Sequence, residues 1–305
     1  MTTSVYAFAN VGRSGLGNML FAWARAEVFR HRYDIPMLAP QWVQMKIGPL
    51  LRREKDLRYY SGLFSARGYV RGFRRWRLLG EAARIPQRDA ETFMASCLQG
   101  RAGTGRAVVE FGGWDGWFDG LIEHKALISR RLFEMLKPAI KERIETAPVD
   151  YLIAAHVRRG DKPIMQVGEV VNDRWNHAKG MPDQWFVNSI RNVREALGFD
   201  APVKVFSDAR PEQLESLLEM SEVTLADSQP SIVDMYRLSR ARVLISTSTS
   251  SFSAWATYLG GMPTLWYPGL IWNLVPERPG FDIETDWNGN LPAGAREAIR
   301  SFAGS

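Results

Sequence analysis

From residue 151 onward the chain alternates short apolar runs with helical patterns, and this alternation limits its fold more than any other feature. Tyr151–Ala155, Val203–Ser207, Val223–Leu225, Val243–Ser246 and Thr264–Tyr267 read as strands. The segments near Gln184–Leu197, Pro211–Met220, Ser231–Ala241 and Ser253–Leu259 read as helices. Strands that take turns with helices predict a parallel, doubly wound sheet. In such a sheet, ligands bind outside the carboxyl ends of the strands.

The first half is less regular. Val5 to Val11 reads as a strand, Gly12 to Gly17 as a tight turn, and Asn18 as the cap of a helix carrying Leu20, Phe21, Ala24 and Val28. Ile35–Ala39 and Ala107–Phe111 read as further strands, and a helix from about Leu121 to Leu136 stops before Pro138. Pro148 marks a junction, so two domains are expected, 1–148 and 149–305. With 305 residues, 46% of them apolar, each can hold a core.

The polar residues gather where this topology puts ligands. His156-Val157-Arg158-Arg159-Gly160-Asp161 directly follows the strand at 151–155. Two guanidiniums there suit phosphate or carboxylate oxygens, because each offers a planar fork of donors. The alternative is a structural network in which the arginines pair with Asp161 and neighbouring carboxylates. Asp208 follows the next strand, and Thr247-Ser248-Thr249-Ser250-Ser251 follows a later one, next to a helix start. A helix N-terminus is an anion site, although the same hydroxyls also serve as an N-cap. Asp208 and Asp234 could accept from the N1 and N2 groups of guanine, or could be turn and cap residues.

Some chemistries lack their signatures. There is no Gly-x-x-x-x-Gly-Lys-Ser/Thr phosphate loop. The run from Gly15 to Leu20 lacks the third glycine of a dinucleotide fingerprint. No Asp-x-Asp stands at a strand end, the nearest approach being Asp282-Ile283-Glu284 in what reads as a polar tail. The four histidines are scattered, and Cys97 is the only cysteine, which fits a reducing compartment. No metal site or cofactor is therefore expected. The first ten residues do not read as a signal peptide and no apolar run is long enough to span a bilayer, so a cytoplasmic protein is expected.

The formal net charge is +6, and the excess is local. Residues 52–88 carry eleven Lys/Arg against three acids, interleaved with Tyr59, Tyr60, Phe64, Tyr69, Phe73 and Trp76. Such a stretch suits nucleic acid, anionic lipid or an acidic acceptor, or is simply a solvated surface.

Four segments together resemble a known family. Gly15-Leu16-Gly17-Asn18-Met19-Leu20-Phe21 is similar to the N-terminal element of the α-1,2-fucosyltransferases, and His156–Asp161 to their His-x-Arg-Arg-x-Asp signature. Val205-Phe206-Ser207-Asp208 resembles their Phe-Ser-Asp-Asp segment, with Ala209 in place of the second acid. Asp234–Leu238, then Ile245-Ser246 and Ser250 to Trp255, resemble the third motif, with Thr247-Ser248-Thr249 as extra material. The resemblance extends more distantly to the α-1,6- and protein-O-fucosyltransferases.

It implies an α/β, GT-B-like fold of two Rossmann-like domains with a nucleotide-sugar cleft between them, 1–148 on the acceptor side and 149–305 binding the GDP-sugar. It implies GDP-β-L-fucose as donor, a glycan acceptor, α-1,2 linkage, inversion at the anomeric carbon and no metal. Arg159 would contact the β-phosphate, with Arg158 beside it. His156 would lie near the nucleotide, Asp234 on guanine, Ser250 or Ser251 with Phe252 on the diphosphate, and Gly17 and Asn18 near the cleft. For the base, Glu169 matches the α-1,6 relatives loosely, and Asp161 and Asp115 are alternatives. Peripheral contact with the inner membrane through 52–88 would present a lipid-linked acceptor. Two other readings compete: a GT-B transferase using another nucleotide sugar, and a basic nucleic-acid-binding protein. The latter does not explain the polar clustering, so nucleic acid is not the expected partner.

Overall fold

The computed structural model describes residues 3–12, 14–42, 60–148, 151–159, 163–169 and 179–304. They form two compact units, and the chain passes from one to the other between Lys141 and Glu142.

The first unit contains β1 (Ser4–Asn10), α1 (Leu16–Arg32), β2 (Met37–Leu38), α2 (Gly72–Glu81), β3 (Ala83–Pro86), α3 (Ala90–Leu98), β4 (Arg106–Gly112) and α4 (Lys125–Glu134). Helix α5 (Pro138–Thr146) spans the unit boundary. The sheet order is β2-β1-β4-β3, and all pairs are parallel. Strand β1 reads Ser-Val-Tyr-Ala-Phe-Ala-Asn and is buried throughout its middle. Such a continuous apolar run is what a parallel strand covered on both faces requires. Leu78 of α2 packs on one face with Tyr6, Phe8 and Val108.

Two expectations for this half are corrected. Asn18 does not cap α1. Gly15 is the N-cap with extended backbone, and its carbonyl already accepts from Met19 N at 3.1 Å, so Asn18 lies within the first turn. The helix expected at 121–136 is a short 3₁₀ turn (Ile122–His124) followed by α4, and α5 restarts at Pro138. Proline is tolerated in a first helical turn, where its missing N–H would have no partner anyway. Strand β3 and helix α3 carry no clear alternation of their own; β3 is placed by pairing to β4. Residues 52–59 of the basic stretch lie outside the described residues.

The second unit contains β5 (Ile153–Val157), α6 (Asp183–Leu197), β6 (Val203–Ser207), α7 (Glu215–Leu218), β7 (Val223–Leu225), α8 (Ser231–Leu238), β8 (Val243–Ile245), α9 (Ser251–Gly260), β9 (Thr264–Trp266), β10 (Asp282–Glu284) and α10 (Ala295–Ala303). The sheet order is β10-β9-β8-β5-β6-β7, again wholly parallel. Ile153, Ala155, Val203, Val205, Val243 and Ile245 form the centre of its core with Trp185, Phe186 and Ile190 of α6. The segment 282–284 is not a polar tail: it is the edge strand β10. Ile283 is buried, and the Asp282 carboxylate accepts from Trp266 Nε1 at 2.9 Å and Val275 N at 2.8 Å. Alternating polar and apolar residues suit an edge strand, and that pattern was present in the sequence.

From β5 the chain winds outward through β6 and β7, then returns to the other side of β5 with β8, β9 and β10. The order therefore reverses between β5 and β8. In doubly wound sheets this switch opens a crevice at the carboxyl ends of the two strands, where ligands bind. Among the described residues no helix is long and apolar enough to cross a membrane.

Candidate functional site

The residues leaving β5 and β8 are stitched together at this switch point. Thr247 Oγ1 donates to the His156 carbonyl at 2.6 Å and accepts from Arg158 N at 3.0 Å. His156 Nδ1 lies 2.6 Å from Ser253 Oγ in the first turn of α9, and its ring is 5.1 Å from that of Phe252. From the far side, Asp208 Oδ1 at the end of β6 accepts from Arg159 N at 2.8 Å. Residues nearly a hundred positions apart thus share one edge of one sheet.

The hydroxyl run divides into structural and exposed parts. Ser248 Oγ accepts from Tyr267 N at 2.7 Å, and Thr249 Oγ1 donates to the Lys179 carbonyl at 2.9 Å. With Thr247 engaged as above, the three extra residues hold the loop rather than face a ligand. Ser250 is the N-cap of α9, its Oγ accepting from Phe252 N at 3.2 Å. Helix α9 therefore begins at Ser251, two residues earlier than the sequence pattern suggests, and points its N-terminus into the crevice, where its dipole favours an anion.

The two arginines differ. Arg159 is 2% exposed. Its Nη2 is ion-paired with Asp183 and its Nη1 donates to the Met181 carbonyl at 3.0 Å. Burial lowers its pKa to about 10, with Asp208 opposing the shift. Arg158 is half-buried. The Nε atoms of both are buried and have no hydrogen-bond partner among the described residues. Leaving such a donor unpaired costs roughly 1–3 kcal/mol. Two such donors stand at one strand end, near the N-terminus of α9.

His156 is buried, and desolvation pushes its pKa down to about 4, so the ring is neutral near pH 7. Asp234, in the first turn of α8, faces Arg237, whose Nη1 donates to it at 3.0 Å; Arg237 also pairs with Asp227 at 2.7 Å. Desolvation raises the Asp234 pKa to about 7 despite the Arg237 charge. Glu169 pairs with Lys179 and accepts from Gln166 N at 3.1 Å. Asp161 lies outside the described residues. Gly17 and Asn18 lie in α1 of the first unit, as does Asp115, which follows β4.

Asp183, Gly180 and Ser253 were missed in the sequence. Asp183 holds Arg159. Gly180 allows the chain to pass the arginines: a Cβ there would lie 2.8 Å from the Arg158 carbonyl oxygen and 3.0 Å from Arg159 Nη1. An acid after Pro182 at a helix start was visible in the sequence, but its partner was not.

No family model and no curated protein matches the chain. Solved structures do. NodZ α-1,6-fucosyltransferase co-crystallised with GDP aligns with a TM-score of 0.50 at 17% identity, over 94% of this chain and 97% of that one. Fucosyltransferase NodZ from Bradyrhizobium aligns at 0.46 and 17%, over 85% and 93%. POFUT1 in complex with GDP aligns at 0.47 and 12%, over 84% and 93%. The fold of this chain is the α/β, GT-B-like one, with two parallel, Rossmann-like sheets.

Proposed function

We propose that this protein is an inverting fucosyltransferase that transfers L-fucose from GDP-β-L-fucose to a glycan hydroxyl, the second unit binding the donor. The observation that carries this reading is the pair of buried Arg158 and Arg159 Nε–H groups, without a partner among the described residues, beside the α9 N-terminus at the β5/β8 switch. A diphosphate meets both needs at once. The four sequence motifs, in family order, add to this reading, and so does the GDP bound by the NodZ structure of like fold.

In this scheme the acceptor hydroxyl attacks the anomeric carbon from the face opposite GDP. The bond to the β-phosphate oxygen breaks, and negative charge grows on the departing diphosphate. The arginine donors and the Ser250–Phe252 backbone stand where that charge develops, so they favour the transition state over bound substrate. They supply the positive charge that a divalent ion gives other transferases. Asp234 selects guanine. Asp161 or Glu169 takes the acceptor proton; Glu169 would first have to part from Lys179. The proposed linkage is α-1,2, from the α-1,2 family motifs, and the first unit takes the acceptor.

The test is a donor screen in EDTA, measuring GDP release from several GDP-sugars with and without oligosaccharide acceptors. Acceptor-dependent release from GDP-fucose is expected. A different preferred sugar would favour the second reading, a transferase of the same fold with another donor, since the groups gathered here address phosphate and base rather than sugar. No saturable thermal stabilisation by GDP would end both.

A further inference from the structure

Helix α2 is amphipathic with its faces used unusually. Leu78 is buried against Tyr6, Phe8 and Val108, with Leu79 and Ala82 packed alongside. The opposite face carries Phe73 and Trp76, 82% and 60% exposed and one turn apart. Two aromatic rings at neighbouring positions thus leave in water apolar area that would gain from burial.

The surroundings are cationic. Arg71, Arg74 and Arg77 are exposed on or beside the helix. The Arg75 guanidinium is buried, bonded to the Ala39 carbonyl at 2.8 Å and stacked 4.8 Å from the Trp76 ring. From the sheet beneath, Arg84 sits over the Phe8 ring and Arg106 reaches Glu81. Among the described residues, the acids facing this group are Glu81, shared by Arg77 and Arg106, and Glu110, paired with Arg84. Among the described residues, six guanidiniums against two carboxylates leave a positive excess around the rings.

We propose that α2 docks the protein on an anionic lipid surface. Phe73 and Trp76 enter the boundary between headgroups and acyl chains, and Arg71, Arg74 and Arg77 meet lipid phosphates. Aromatic anchors with arginines at the same level are the pattern of interfacial helices. A single nucleic-acid strand is held by a positively charged groove that tracks its backbone, with successive bases stacked on aromatic rings along it. Here the rings stand outward on a helix face, which suits insertion. This surface belongs to the first unit, and the proposal does not depend on the assignment of the donor site in the second.

The experiment is vesicle sedimentation of the full chain with phosphatidylcholine alone and with added phosphatidylglycerol, at low and high salt. Wild type is compared with a Phe73→Ser/Trp76→Ser double variant, whose far-UV circular dichroism should match wild type because Leu78 still packs α2 on its sheet, with only a small drop in melting from the lost Arg75–Trp76 stacking. Binding to the anionic vesicles is expected, falling with salt, and at least about tenfold weaker in the double variant. Three results would overturn the proposal: no binding to anionic vesicles, equal binding by the two proteins, or a single-stranded RNA probe bound through these residues in place of vesicles.

Discussion

Asp183, the first residue of α6, holds the guanidinium of Arg159 at the carboxyl end of β5. The arginine is nearly fully buried, whereas the aspartate is partly open to solvent. The pair therefore orients a cation that has little freedom of its own. Asp183→Asn keeps the shape and a hydrogen-bond acceptor but removes the charge. Turnover is expected to fall about tenfold or more, with KM for the donor changing less, because the loss falls on the group proposed to act as leaving-group charge develops. Steady-state kinetics with GDP-fucose tests this; wild-type kcat in Asp183→Asn would show that the guanidinium needs no positioning partner.

Arg159 itself should matter more. Losing a charge-assisted donor to the departing phosphate typically costs roughly 3–4 kcal/mol, so Arg159→Ala should lower kcat by about a hundredfold or more. Arg159→Lys should recover little, since a single ammonium cannot satisfy Asp183, the Met181 carbonyl and a phosphate together. Near-normal turnover in either variant would remove Arg159 from the proposed chemistry.

The sequence made the second unit legible because its strands are short, apolar and evenly spaced, and one parallel sheet follows from that spacing. It brought His156, Arg158, Asp208 and Thr247 to one edge for the same reason. What it could not show is which donors and hydroxyls are already engaged. Thr247, Ser248 and Thr249 look like ligands in the sequence, yet each is bonded within the protein. Asp183 looks like an ordinary helix-start acid, and only the fold reveals the arginine it meets. In the first unit the weak signals of β3 and α3 come from tertiary pairing overriding local pattern.

GDP binding should depend on pH near neutrality. Desolvation raises the Asp234 pKa to about 7 from the usual carboxylate value. If its charged form accepts from guanine, affinity for GDP should rise as pH increases through about 7 and then level off. The stability effect has the opposite sign. A raised carboxyl pKa stabilises the folded state least above that pKa, so Asp234→Asn should be no less stable than wild type at pH 8 while binding GDP more weakly. Isothermal titration across this range is the check, and flat affinity would detach Asp234 from the base.

His156 works in the other direction. Its pKa is depressed to about 4, chiefly by burial. The unfolded chain takes up this proton near pH 6.5 and the folded chain does not, so stability is fully present above pH 6.5 and drains as pH falls towards 4. The full effect is on the order of 3 kcal/mol. Asp234 gains stability over part of the same window, so the useful quantity is a difference. The gap in unfolding free energy between wild type and His156→Asn should narrow as pH drops from 7 to 4.5. A constant gap would mean that the imidazole protonates without cost in the folded protein.

Gly260 links the two helices that carry the proposed base and phosphate contacts. It ends α9, and a side chain there would overlap the carbonyl oxygen of Ser239, which caps α8, and come within 2.8 Å of Met262 Sδ. Backbone cannot yield as a flexible side chain can, so α8 and α9 must separate to admit even a methyl group. Gly260→Ala is therefore expected to lose about 1–3 kcal/mol of stability. It should also weaken GDP binding, because Asp234 and the Ser250–Ser253 turn ride on the displaced helices. Denaturant unfolding combined with GDP titration measures both effects. A variant that unfolds earlier yet binds GDP normally would show that the spacing of α8 and α9 serves packing alone, and one with an unchanged midpoint would show that the close approach is not required at all.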